Sequence, residues 1–136
     1  MNRALPVLLC CAVSLSCCGD SEKLTVPPLP QDGSAISYPQ VLSRLAAQTD
    51  TAKESHFLNR WDAVVDGTLG LEQSAGYLLK SPDVPAFHKV RIEKSARELT
   101  ADILALRESA RRKDQVESLE MIRRIHNRVR DLQELK

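Results

Sequence analysis

From residue 38 to residue 136, apolar side chains recur at steps of three and four, and β-type alternation is absent. That spacing returns apolar side chains to one face of an α-helix, so the segment predicts helices and no strands. Pro39 suits the first turn of a helix, where its missing amide hydrogen is not needed, and the apolar positions that follow are Val41, Leu42, Leu45 and Ala46. A second stripe runs Phe57, Trp61, Val64, Thr68, Leu71, Ala75 and Leu78, at steps of 4, 3, 4, 3, 4 and 3. Gly67, Gly70 and Gly76 fall within it, each weakening a helix by about 1 kcal/mol relative to alanine. Their presence suggests small residues that admit a neighbouring helix. Ser81-Pro82-Asp83-Val84-Pro85 breaks the pattern.

The third stripe comprises Phe87, Val90, Ala96, Leu99, Ile103, Leu106 and Ala110. Arg111-Arg112-Lys113 then places cations in the last turn, where the helix dipole favours them. Asp114 is positioned to cap a fourth helix, with Glu117 three residues on as in a capping box. Val116, Leu119, Ile122, Ile125, Val129 and Leu132 form its apolar stripe. The prediction is an all-α, antiparallel four-helix bundle. Nothing between 50 and 56 breaks a helix. The first two elements therefore join at a turn there or merge into one helix from 39 to 80.

The N-terminal region reads differently. Met1-Asn2-Arg3 precedes the apolar run Ala4 to Ser16, which as a helix covers about 20 Å against about 30 Å of hydrocarbon core. It fits a signal-peptide core rather than a spanning helix. The run ends in Leu15-Ser16-Cys17-Cys18-Gly19-Asp20, which resembles a bacterial lipobox, the motif in which a cysteine is diacylated and becomes the new N-terminus. Cys18 as anchor keeps Leu15 and Ser16 at the customary upstream places; Cys17 as anchor is the alternative. The resemblance implies export and a lipid anchor in a bacterial membrane, with the domain in the periplasm or at the cell surface. Residues 19–37 hold three Pro and two Gly without helical periodicity, and predict an extended, disordered tether. The expected organisation is a signal peptide over 1–17, anchor and tether over 18–37, and the bundle over 38–136.

Composition narrows the chemistry. With 136 residues the chain makes one domain, and 19 Lys+Arg against 18 Asp+Glu leaves no basic excess for nucleic acid. Residues 20–83 carry nine acids and five bases, residues 107–136 nine bases and six acids, a pattern suited to solvated helix faces. Cys10, Cys11, Cys17 and Cys18 are the four cysteines, so the segment after the anchor has no disulfide and no thiolate ligand. No closely spaced His pair or carboxylate cluster suggests a catalytic metal. Ser74 lies mid-helix in Leu-Glu-Gln-Ser-Ala-Gly, which is not a nucleophile elbow. Glu72 and Asp66 read as solvated or inter-helix salt-bridging carboxylates, His56 and His88 as surface or loop residues, and Trp61 as a core anchor.

Two of the helical segments carry a family resemblance. Trp61 to Leu79 (WDAVVDGTLGLEQSAGYLL) with its Pro-bearing turn, and Arg111 to Leu132 (RRKDQVESLEMIRRIHNRVRDL), resemble the second and last helices of cytochrome c prime-type domains. That family ends in C-x-x-C-H, its cysteines joined to haem and its histidine ligating iron. The corresponding residues here are Ile122, Ile125 and His126, with Arg130 one turn on. Isoleucine at both sulfur positions excludes covalent attachment and suits a filled hydrocarbon core. A related b-type cytochrome uses a first-helix Met as its second ligand, and this chain has only Met1 and Met121.

The resemblance leaves His126 as a candidate iron ligand, predicted to face the bundle interior or its edge beside Leu119, Ile122 and Val129. Arg130 would be a candidate propionate partner. The blander readings, a partly buried histidine bonded to a nearby acceptor and a surface arginine pair, are favoured. The expectation is thus a non-enzymatic envelope lipoprotein without cofactor, acting in binding or structure through an envelope protein partner or a second copy. The alternative is a non-covalent haem-b protein using His126.

Overall fold

The computed structural model describes residues 36–135. The signal peptide, Cys17, Cys18 and the Pro-rich stretch predicted above lie outside the described residues. Four helices follow in order: α1 (Tyr38–Phe57), α2 (Trp61–Tyr77), α3 (Lys89–Arg111) and α4 (Gln115–Gln133), with a short 3-10 turn over Ala86–His88. Each helix packs on the helices before and after it, and α4 returns to α1, closing an up-down-up-down bundle. No strand occurs among the described residues.

The break between α1 and α2 falls at 58–60, later than the 50–56 stretch where the sequence left it open. Asn59 adopts a left-handed conformation, φ 54°. Its N–H donates to the His56 carbonyl and that of Arg60 to the Ser55 carbonyl, a Schellman turn that satisfies the last carbonyls of α1. Asparagine tolerates this backbone better than most residues, so neither Gly nor Pro was required. The α3–α4 junction repeats the device with Lys113 at φ 57°, its N–H reaching Ala110 and that of Asp114 reaching Ser109. Asp114 Oδ1 then accepts from Glu117 N at 2.9 Å, the predicted cap. The Glu117 carboxylate pairs with Arg112.

The core forms along the predicted stripes but starts later on three of them. Val64, Thr68, Leu71, Ala75 and Leu78 of the second stripe are buried; Phe57, its first member, is the exposed last residue of α1. On α3 the buried set is Ile92, Ala96, Leu99, Ile103, Leu106 and Ala110, so Ile92 supplies the regular step and Phe87 and Val90 stay outside. On α4 Val116 is exposed and Leu119 half-buried, while Met121, Ile122, Ile125, Val129 and Leu132 are buried. Trp61 is half-buried against the core edge rather than enclosed by it. Ile36 also packs on the core, so the bundle includes two residues assigned to the tether. The glycines of α2 do not admit a helix backbone. Gly67 and Gly76 face open space, and only at Gly70 would a Cβ meet anything, the Gln48 amide at 2.9 Å.

Guanidinium groups lock helix pairs beyond the hydrocarbon. Arg107 of α3 donates from Nε to Thr68 Oγ1 at 2.9 Å and pairs with Glu72, both on α2. Arg128 of α4 likewise reaches Asp102 and Glu98 on α3. The hydrogen bond to Asp102 is the main reason its pKa is raised further above the usual arginine value.

Candidate functional site

The bundle has two ends of different character. At the first, α1 begins, α2 and α3 meet, and α4 finishes. Tyr38 ties these together: its N–H donates to Asp83 Oδ1 at 2.6 Å and its hydroxyl to the Leu132 carbonyl at 3.4 Å. Burial of the ring raises the phenol pKa. The second end holds the α1–α2 and α3–α4 turns, joined by His56. This histidine, read from sequence as a surface or loop residue, lies in the last turn of α1 and is only 3% exposed. Its Nε2 lies 3.1 Å from the Gln115 carbonyl, an acceptor, so Nε2 carries the hydrogen. The ring stands edge-on to Trp61, centroids 5.4 Å apart. Sequence held the signal: extending the α1 stripe past Ala46 by threes and fours reaches Thr49, Ala52 and His56, all buried.

His126 shows the reverse. It is exposed; of the two orientations predicted, toward the interior or at its edge, the interior one is corrected. Each helical residue turns about 100°, and the buried arc of α4 runs through Ser118, Met121, Ile122, Ile125, Val129 and Leu132. His126 sits about 40° beyond Ile122, the near edge of that arc, on the Leu119 side. Arg130 is exposed too, 3.9 Å from Asp131. Ile122 and Ile125 are packed in the core. An iron porphyrin needs an imidazole facing an apolar cavity, and these residues do not provide one. Clefts of about 350–380 Å³ among the described residues lie at the bundle ends: two beside Trp61, Asp62 and Lys113, and one among Tyr38, Leu42, Asp83, Pro85 and Leu135.

The other candidates fall as the residue types suggested. Glu72 is the α2–α3 salt-bridge partner of Arg107, Asp66 is exposed, and Ser74 is fully buried mid-helix. His88 is half-buried in the 3-10 turn. Among the described residues no group of three or more His, Cys, Asp or Glu could hold a metal ion, and no helix is long and apolar enough to cross a membrane.

What the stripes did not predict is exposed apolar surface at both ends. Phe57 is 82% exposed, with Leu58 beside it. The His56–Gln115 contact brings Val116, also 82% exposed, to the same end. At the opposite end Phe87 and Val90 stand outward. No family model, characterised protein or solved structure matches the chain.

Proposed function

We propose that this chain is a membrane-tethered envelope lipoprotein, its bundle built like that of cytochrome c prime without covalent haem, acting by binding rather than by catalysis. The observation that carries the binding role is the apolar group of Phe57, Leu58 and Val116, exposed at the end of the bundle farthest from Ile36. Exposed apolar side chains grouped in this way suit a protein partner. A lipid on Cys18 would hold the Ile36 end nearer the membrane and leave this group facing an envelope partner. The haem-b alternative has no support from geometry, because His126 is exposed.

Two measurements test the reading. The mature N-terminus should carry acyl chains on Cys18, and Cys18→Ala should move the protein from the membrane fraction to the soluble one. A photoreactive side chain at position 57 or 116 should cross-link one envelope protein in intact cells. Phe57→Ser with Val116→Ser should abolish that complex and leave the tether intact. An unmodified mature N-terminus would refute the anchor; cross-linking no stronger at 57 and 116 than at exposed Arg123 would refute the binding surface.

A further inference from the structure

The α2–α3 corner combines outward apolar side chains with a cluster of cations. Phe87 is fully exposed in the 3-10 turn, and Val90, three residues on, is 81% exposed. Lys80, Lys89, Arg91 and Lys94 are exposed on the same segment, Lys80 over the Tyr77 ring and Lys94 4.0 Å from Glu98. Residues 78–98 contain five Lys/Arg (80, 89, 91, 94, 97) against Asp83, Glu93 and Glu98, a surplus of two. Ile92, Ala96 and Leu99 turn the opposite face of α3 into the core, so Phe87 and Val90 are an outward patch and not a frayed edge of the interior. Asp83 is engaged with the Tyr38 N–H.

That same hydrogen bond fixes where the remaining chain enters. Ile36, two residues before Tyr38, joins the bundle beside this corner, and Cys18 lies 18 positions before it. On the lipoprotein reading, the acylated residue is joined to the domain at this corner. The corner would therefore be the part of the domain held closest to a bilayer.

We propose that the corner is a lipid-surface contact: Phe87 and Val90 enter the headgroup boundary of a phospholipid bilayer, and Lys80, Lys89, Arg91 and Lys94 pair with anionic headgroups. The proposal rests on the lipoprotein reading for the nearness of the bilayer. Aromatic and aliphatic tips with long cationic side chains on the same segment are what an interfacial contact requires, apolar atoms below and charges at headgroup level. The tether converts a weak contact into an intramolecular one. Its effect is orientation: the Phe57–Val116 end is directed away from the membrane.

The test uses the mature chain 18–136 carrying Cys18→Ser, which has no lipid and contains every core residue described above. It is sedimented with phosphatidylcholine vesicles, with and without phosphatidylglycerol. Binding is expected only with phosphatidylglycerol and should weaken as salt is raised. Phe87→Ser with Val90→Ser should lower partitioning by about tenfold, with helix content unchanged by circular dichroism. Phe57→Ser with Val116→Ser should leave it unaltered. Absence of binding to phosphatidylglycerol vesicles, or binding indifferent to Phe87 and Val90, overturns the proposal. So does a dimer that the Phe87 and Val90 changes dissolve, which would make a second copy the occupant. Because this chain carries no lipid, a missing acyl group on the native protein would overturn the anchor and leave the vesicle result standing.

Discussion

Arg128→Met should cost this bundle about 2–3 kcal/mol, most of it from a single carboxylate. Arg128 donates from Nε to Asp102 Oδ2 at 2.5 Å, and Asp102 is only 8% exposed, flanked by Leu99, Ile103 and Leu106 of its own helix. A hydrogen bond to a charged group contributes about 1.5–3 kcal/mol, and its loss would leave that carboxylate nearly enclosed with no cation. The Arg128 side chain is 31% exposed, so water screens part of the effect and the lower half of that range applies. The contact with the more open Glu98 adds about 0–1 kcal/mol.

Urea unfolding followed by circular dichroism measures the sum, provided the slope with denaturant stays constant. The Arg128→Met, Asp102→Leu pair isolates the coupling. Removing both partners should recover much of the loss, because an apolar pair leaves no uncompensated charge, and the cycle should give a coupling of about 1–2 kcal/mol. A single-variant cost below about 0.5 kcal/mol with a coupling near zero would mean that the pair is a solvated surface contact, and the argument from burial would fail.

Gly67→Ala should stabilise the protein by about 0.5–1 kcal/mol in the same assay, because the added methyl meets open space and the unfolded chain loses freedom. Gly70→Ala should gain less or turn negative, since the Gln48 amide must swing aside. Stability should also fall as pH rises above about 10. The unfolded Tyr38 phenol ionises there while burial holds the folded one neutral, so the native state binds more protons and the slope is negative until the folded pKa is passed. Tyr38→Phe should flatten that decline; an unchanged alkaline profile would show that the buried phenol is not its source.

Helix number, order and inward faces were legible because threes and fours are a direct imprint of helical geometry. The ends were not. Phe57 closes α1, one helix before the stripe assigned to it, and Phe87 precedes α3; Val90, six residues from Ala96, and Val116, reached by successive three-residue steps that drift around a helix of about 3.6 residues per turn, lie on the outer faces of α3 and α4. The α1–α2 turn was hidden as well: it depends on Asn59 accepting a left-handed backbone, and the preceding residues are ordinary helix formers. Reading α4 from Leu119 rather than from Met121 rotated the inferred arc and brought His126 inward; the actual arc leaves it out. His56 needed only a longer stripe. The Arg107 and Arg128 clasps join residues at least 26 positions apart, and only the folded chain brings them within reach.

The ring of four helices bears on how quickly this chain acquires its shape. Three of its four helix–helix seams join consecutive elements, and only the return of α4 to α1 closes a long loop. Loop-closure entropy rises only logarithmically with length, and helical proteins dominated by local contacts fold in about microseconds to milliseconds. A chain released unfolded would hide its isoleucines and leucines almost as soon as the last helix was free to dock, giving proteases and aggregation little time to act.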